Sequence, residues 1–408
     1  MSAVQSSTST FPRSGDRHFE TLTGDFFGFE NLLAEDERDI VVRVREFLRA
    51  EVEPIANDYW SRAEFPFQIL DGLRALDIAG LRYEGLAAHH GTRLLSGFLA
   101  LEISRADPSI NTFYGVHTGL AMGSINRCGS DEQRERWLPA MARMEKIGAF
   151  ALTEPHGGSD VAGGLETTAR REGDEWVLNG EKRWIGNATF ADLVVVWARD
   201  EADHHVKGFV VAKGTPGFHA TKIEDKVALR TVQNADIVLS DCRVAERDRL
   251  QRAESFRDTS DVLRLTRGGV AWGAVGCMMA AYELALAYAT ERVQFGRPIA
   301  KFQLIQDHLA TMVGNVTSSL ALVVSLAQLQ DHGVNKDEHS ALVKSVVTTR
   351  MRETVALARE VLGGNGILLT NNVARFFADA EALYSYEGTR EINQLIVGRA
   401  ITGMGAFV

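Results

Sequence analysis

Cysteine is scarce in this chain, and what there is does not pair. Cys128, Cys242 and Cys277 are odd in number, far apart and without a CxxC spacing. That excludes a disulfide framework and a cysteine-based zinc site, and it fits a reducing compartment. Proline is equally sparse, 8 in 408 residues against 45% hydrophobic residues, so a low-complexity or disordered chain is excluded. Excess positive charge is missing too. A net charge of −10 lacks the clustered Lys and Arg on which nonspecific nucleic-acid binding draws.

Long apolar runs are also absent. None reaches about 18 residues without a charge, so no membrane span is expected. The opening MSAVQSSTSTFPRSGDRHFETLTG has no apolar h-region and is not a secretory signal, while Asp16, Glu20 and Asp25 argue against an acid-free presequence. The terminal GAFV matches neither a peroxisomal tripeptide nor a prenylation box. The expectation is a soluble, cytoplasmic protein, with the mitochondrial matrix as the alternative. Familiar catalytic signatures are lacking as well. No GxGxxG joins a strand to a helix, and there is no Walker loop, HExxH, GxSxG or Cys/His metal spacing. No metal is therefore expected, and His204-His205 in EADHHVKG reads as a solvated pair in a charged turn.

What is present falls into three textures, and the length suggests about two or three domains. Over 31–148 the pattern is helical. In DERDIVVRVREFLRAEVEPIA, apolar residues recur at Ile40, Val44, Phe47/Leu48, Val52 and Ile55, the spacing of one buried helix face. Ser130 and Gln133 in SDEQRERWLPAMARM have the spacing of a capping box. Over 149–252 the residues are strand-like, with turn signals at Gly173-Asp174, Asn179-Gly180 and Pro216-Gly217 spaced for an antiparallel sheet. Strands that do not alternate with helices exclude a doubly wound sheet. Over 253–408 the helical period returns, with helices predicted at about 258–292, 299–331, 337–362 and 371–384 and a last one from Thr389. Gly363 is placed for a left-handed C-cap. Residues 1–30 read as an extension.

Four stretches are odd for a purely structural chain. LTEPHGGSD (152–160) puts Thr153, Gly158 and Ser159 where helices give way to strands, and small residues with hydroxyls let backbone N–H groups approach a ligand. Taken alone it reads as a plain inter-domain loop. KRWIGNATFAD (182–192) reads alone as a strand end with a core Trp184. ERVQFGRPIAKFQ (291–303) offers Arg292 before an FG break in a long helix, a surface Arg or a phosphate contact. In YSYEGTREINQ, Glu387 lies between Tyr386 and Gly388, with Thr389 placed to cap the helix that follows. An acid just before a helix start is common for dipole reasons alone.

Together, LTEPHGGSD, RWIGN, ERVQFGRPIAKFQ, EVLGGNGI and YEGTREINQLIVGRAITG resemble the acyl-CoA dehydrogenase family in order and spacing, from about residue 35 to the end. RWIGNATFAD, VALRTVQNADI and FRDTSDVL resemble the glutaryl-CoA dehydrogenase branch and especially the plant short-chain acyl-CoA oxidase. The resemblance implies a mainly α fold with a central β domain: an α-helical N-terminal domain, a β-sandwich middle and a C-terminal four-helix bundle. It also implies FAD, a homotetramer and a place in fatty-acid β-oxidation. It assigns Leu152, Thr153, Trp184 and Gly186 to the flavin ring and Gly158 and Ser159 to the pyrophosphate. Arg292, Gln294, Phe295, Gln303, Glu360, Gly363 and Gly364 match positions where FAD crosses a subunit interface, and Thr389 and Glu391 match cofactor contacts after the base.

Glu387 matches the catalytic base, which takes an α-proton of an acyl-CoA thioester while a β-hydride goes to flavin N5. The family's enolate oxygen is met by the backbone N–H of the base and a flavin ribityl hydroxyl, and an apolar pocket should raise the base's pKa. Members that carry the base on a bundle helix have it just before an Arg. That place is Thr266 here, ahead of Arg267, which together with Tyr386 and Gly388 is expected near the thioester. Two departures follow. Glutaryl-specific members hold the distal carboxylate with an Arg where DPSINTFYG has Asn111, so a short plain acyl chain is expected and glutaryl-CoA disfavoured. Gly186 stands where dehydrogenases commonly have Thr. Gly there opens space beside N5, and this keeps an O2-reducing oxidase beside a dehydrogenase that passes electrons to an electron-transfer flavoprotein. A nonenzymatic DNA-binding member of the fold is the third alternative, against which the acidic total and the intact YEGT both count.

Overall fold

The computed structural model describes residues 23–406; the expectations for the leader and for the last two residues lie outside it. The predicted first helix is interrupted. Helix α1 (Glu35–Phe47) passes through a five-residue π-helical stretch, Leu48–Val52, into α2 (Glu53–Arg62). Pro54 in the first turn of α2 explains the widening, since its ring clashes with the carbonyl four residues back and it has no N–H to donate. Ile40, Val44, Leu48 and Val52 stay buried through the break, as their spacing requires.

Helices α3 (Leu70–Ala75), α4 (Arg93–Ala106), α5 (Pro108–Gly115), α6 (Met122–Cys128) and α7 (Asp131–Ala142) complete the first helical layer. The Ser130–Gln133 capping box starts α7 as predicted. A second π-helical stretch, Val116–Ala121, carries His117 into the interior. Gly148 N–H donates to its Nδ1 at 3.0 Å, so the proton sits on Nε2, which donates to Met141 O at 2.9 Å. Burial pushes the imidazole pKa down to about 4, which keeps it neutral. Through those two bonds His117 fixes where the first strand begins.

Seven strands follow: β1 (Gly148–Ala151), β2 (Thr168–Glu172), β3 (Glu175–Gly186), β4 (Leu193–Asp200), β5 (Val206–Ala212), β6 (Phe218–Lys222) and β7 (Asn234–Ala245). The expected two-layer β unit is built as one mixed sheet curled on itself, in the order β1-β4-β2-β3-β7-β6 with β5 also on β4. Antiparallel spacing does not hold throughout. Both β1 and β2 run parallel to β4, β1 beside Leu193–Val196 and β2 beside Arg199–Asp200. They share one edge of β4, and the chain between them, 152–167, loops out from that edge. Strand β4 is buried on both faces: Leu193, Val195 and Trp197 pack toward α6 and α7, and Val194, Val196 and Ala198 into the sheet's own core. Asn179-Gly180 is not a turn. It is a bulge inside β3, where Gly180 has φ 143° and a Cβ would lie 2.7 Å from Thr167.

The second helical block is α8 (Phe256–Glu291), α9 (Gln303–Asp331), α10 (Asp337–Val361), α11 (Val373–Ser385) and α12 (Arg390–Thr402). Gly363 is left-handed after α10, as its position predicts. Helices α8 and α9 are long and apolar enough to cross a membrane by composition, but 78% of the apolar window of α8 is buried inside the protein. The break after α8 is a small hairpin of β8 (Val293–Gln294) and β9 (Arg297–Pro298). Phe295 and Gly296 both have positive φ at its tip, the turn chemistry such hairpins need. Arg105–Glu283 and Arg375–Asp107 ion pairs lock the first helical layer to this block.

Candidate active site

Glu387 sits in the four-residue link between α11 and α12. The link closes because Thr389 caps α12, its Oγ1 accepting the Ile392 N–H at 3.3 Å. To reach that cap the chain turns left-handed twice, at Glu387 (φ 53°) and Gly388 (φ 89°). Left-handed backbone costs a non-glycine residue roughly 1–2 kcal/mol, so neighbouring contacts must hold it. They come from Lys344 on α10, whose Nζ donates to Tyr386 O at 2.5 Å and to Gly388 O, the carbonyls on either side of the acid. Asn393 Nδ2 adds a bond to Gly388 O at 2.9 Å.

One oxygen of the carboxyl is set apart from water. Oε2 of Glu387 is buried and has no hydrogen-bond partner among the described residues. Burial raises its pKa above the ordinary carboxylate value, opposed by a hydrogen bond from Thr266 and by the charges of Lys344 and Arg267. Burial likewise pushes Lys344 down to about 8, against the pull of Glu387. Arg267 is committed to an ion pair with Asp337 at the start of α10. The Thr266 hydroxyl donates to Leu263 O at 3.1 Å. Asn111 on α5 is buried against α8, where a Cβ on Gly273 would lie 2.5 Å from its amide nitrogen. The Tyr386 hydroxyl bonds with Thr112, and burial drives the phenol pKa well above its usual value.

The β unit supplies a second wall. Leu152 is buried, and its carbonyl accepts from the Lys182 ammonium at 3.2 Å. Thr153 O accepts the Arg183 N–H at 2.8 Å, which pins the start of the loop that carries Gly158 and Ser159, both exposed. Trp184 is not a core residue. A register shift between Lys182 and Ile185 turns it out of β3 with φ 65°, leaving it 51% exposed under the Arg183 guanidinium. A bulky residue held in a left-handed conformation with an exposed ring is strained for use rather than for packing. At Gly186, a Cβ would meet a Val116 methyl at 3.2 Å, so the space expected to be open is already lined.

The predicted cofactor residues fall into two groups. Arg292, Gln294, Phe295 (93% exposed), Gln303, Glu360, Gly363 and Gly364 lie where α8 and α10 end and α9 begins. Arg267 and Arg292 are 25 residues apart on or at the end of one helix, which at 1.5 Å per residue is roughly 37 Å. This group is therefore not part of the wall around Glu387 in the same chain. Glu391 is exposed on the first turn of α12, next to the Thr389 cap.

Against known proteins, residues 34–145, 149–242 and 256–402 match the N-terminal, middle and C-terminal domain models of acyl-CoA dehydrogenase. The chain belongs to the acyl-CoA dehydrogenase family. It is 34% identical to the acyl-CoA dehydrogenase of Bacillus subtilis over 88% of this chain and 96% of that one. It is also 34% identical to the mitochondrial short-chain specific acyl-CoA dehydrogenase of Rattus norvegicus, covering 86% and 87%. The glutaryl-CoA dehydrogenase of Mycobacterium smegmatis in complex with FADH2 superposes with a TM-score of 0.90 at 34% identity, covering 94% and 98%.

Within this family frame, the residues present fit a flavin: a strained, exposed indole, a glycine loop with open space at Gly158, and a half-buried acid with one sealed oxygen that has no partner among the described residues. The motifs did not reveal Lys344 or Lys182. Lys344 had a signal, since a lysine stands on the apolar stripe of Ala341, Val347 and Met351 at helical spacing.

Proposed function

We propose that this family member uses FAD to dehydrogenate a short-chain acyl-CoA thioester across its α and β carbons, with Glu387 as the base. The observation that carries the reading is the Glu387 carboxyl: half-buried, with Oε2 sealed from water and without a hydrogen-bond partner among the described residues, and raised in pKa, on a link held by Lys344 and Thr389. A base matched to neutral pH must be desolvated without being neutralised by a close partner, which is the balance of burial against Thr266, Lys344 and Arg267. FAD, when bound against Leu152, Thr153 and Trp184, supplies the hydride acceptor. The Glu387 carboxylate takes the α-proton, and the Glu387 N–H is the chain's donor to the thioester oxygen.

Substrate class follows from charge. Asn111 is neutral and Arg267 is already paired with Asp337, so a distal carboxylate buried at this place would lack a partner. That supports a plain short chain over glutarate. Val116 against Gly186 supports a dehydrogenase that hands electrons to an electron-transfer flavoprotein over an O2-reducing oxidase, because an apolar side chain borders the space that the glycine leaves. The bundle-end residues serve the cofactor of a second copy, in keeping with a homotetramer.

The test is anaerobic reduction of the flavoprotein by butyryl-CoA, then admission of air. Flavin bleaching with slow reoxidation is expected. Rapid reoxidation with peroxide release would establish the oxidase instead, and a Glu387→Gln enzyme that reduces its flavin at the parental rate would remove Glu387 as the base.

A further inference from the structure

We propose that Lys344 is a positioning residue that aims the amide N–H of Glu387 at the thioester oxygen. The inference rests on the reading of Glu387 as the base, and the geometry is that of one peptide plane. The Tyr386 carbonyl and the Glu387 N–H belong to the same unit, which is planar and trans, so they point in opposite directions. Lys344 holds that carbonyl toward α10 at 2.5 Å, which turns the N–H away from α10. Its second bond, to Gly388 O, holds the carbonyl one residue beyond Glu387, so the link is gripped on both sides of the acid by one ammonium.

The grip is needed because the link is strained. Glu387 at φ 53° has no steric preference for its conformation, and an extended alternative would swing the N–H elsewhere. Lys344 is a rigid anchor, 1% exposed in the third turn of α10, which is packed against α8, α9, α11 and α12. An ammonium donating to a carbonyl also polarises the amide, which makes its N–H a stronger donor.

Simple charge neutralisation is a poorer account of the lysine. Its hydrogen bonds go to the two carbonyls, while Glu387 Oε2 has no hydrogen-bond partner among the described residues. The other groups facing Glu387 are Thr266 and Arg267 from α8, the latter bound to Asp337 of α10, and Tyr386 beside it.

The experiment compares FAD-loaded full-length enzyme with Lys344→Met. One readout is the kcat and KM split with butyryl-CoA. The other is calorimetric affinity for acetoacetyl-CoA, whose acidic C2 proton lets it bind as an enolate, against CoA alone. A misaimed donor to a developing enolate should lower kcat on the order of 10–100-fold with KM little changed. Acetoacetyl-CoA affinity should fall at least tenfold while CoA affinity holds. Parental kcat and acetoacetyl-CoA affinity in an FAD-loaded Lys344→Met enzyme would overturn the proposal, and so would an equal loss for both ligands. If Lys344→Met does not retain FAD, Lys344→Gln, whose shorter amide cannot span both carbonyls, is read in the same assays with the same criteria. Loss of FAD in both variants makes Lys344 a folding residue and also overturns it. Glu387→Gln run in parallel fails or supports the base reading independently of Lys344.

Discussion

Lys182 and Glu154 form an ion pair sealed beneath the loop that leads to Ser159. The ammonium, 0% exposed, lies 2.7 Å from the carboxylate. Glu154 also accepts the backbone N–H groups of Glu166 (2.6 Å) and Thr167 (3.0 Å), so one carboxylate joins both ends of the loop. Burial alone would raise Glu154; the Lys182 charge and these bonds outweigh it and hold the carboxyl below its usual value. Burial pushes Lys182 down to about 8.

Lys182→Met should therefore cost about 3–5 kcal/mol, because it strands a buried carboxylate. Denaturant unfolding measures it, and FAD content should fall with it as the loop loosens. Pairing it with Glu154→Met should restore much of the stability, since no charge is then left buried alone. A double variant as unstable as the single one would show that the loop bonds, not the ion pair, carry the effect.

Asp379 gives the fold a pH dependence of unusual sign. Trp60 Nε1 (2.8 Å) and Leu229 N–H (2.6 Å) both donate to its Oδ1. Burial, helped by the nearby Asp107 charge, raises it from 3.8 to about 7, against Trp60, Arg375 and Leu229. Between those values the folded protein keeps a proton that the unfolded chain has released. Stability from this group therefore falls as pH rises from about 4 to about 7, by at most about 1.4 kcal/mol per pH unit. Asp379→Asn keeps an acceptor for both donors, so it should flatten the Tm-against-pH curve across that window and raise Tm at pH 8. An unchanged slope would show that Asp379 is ionised throughout.

Trp184→Gly should separate cofactor binding from folding. Glycine adopts φ 65° freely, and the indole is half exposed, so the protein without flavin should melt at or slightly above the parental temperature. FAD retention on gel filtration should drop. A large loss of apoprotein Tm would mean the indole is structural after all.

Gly388→Ala should act on rate before stability. A Cβ there meets Asn393 Nδ2 at 3.3 Å at φ 89°, a strain on the order of 1–3 kcal/mol. The link relieves it by shifting Glu387, so kcat with butyryl-CoA should fall by more than the change in Tm accounts for. A variant with lowered Tm and parental kcat would count against a strained, positioned link.

Helices were legible along the chain because their signal is local. The Ser130–Gln133 cap, the left-handed Gly363 and the apolar stripe from Ile40 to Val52 all depend on residues within a few positions of one another. Breaks in that regularity were harder to see: the π-helical widening before Pro54, the hairpin at Phe295-Gly296 and the bulge that mimicked a turn at Asn179-Gly180. In each, a local signal was present but had more than one geometric solution. Strand direction was not legible either, because β1 and β2 share an edge of β4 through pairings that sequence spacing does not encode.

The sequence by itself determined the inventory: a YEGT acid with a capping Thr389, glycines in the 152–160 loop, Thr266 in place of a second carboxylate, and three successive textures. Only the tertiary structure decided what surrounds them. It turned Trp184 outward, paired Arg267 with Asp337, set Val116 beside Gly186 and brought Lys344 across from α10 to the carbonyls beside Glu387. Those outcomes join residues 40 to 70 positions apart or on different elements, where burial and charge depend on packing rather than on neighbours in the chain.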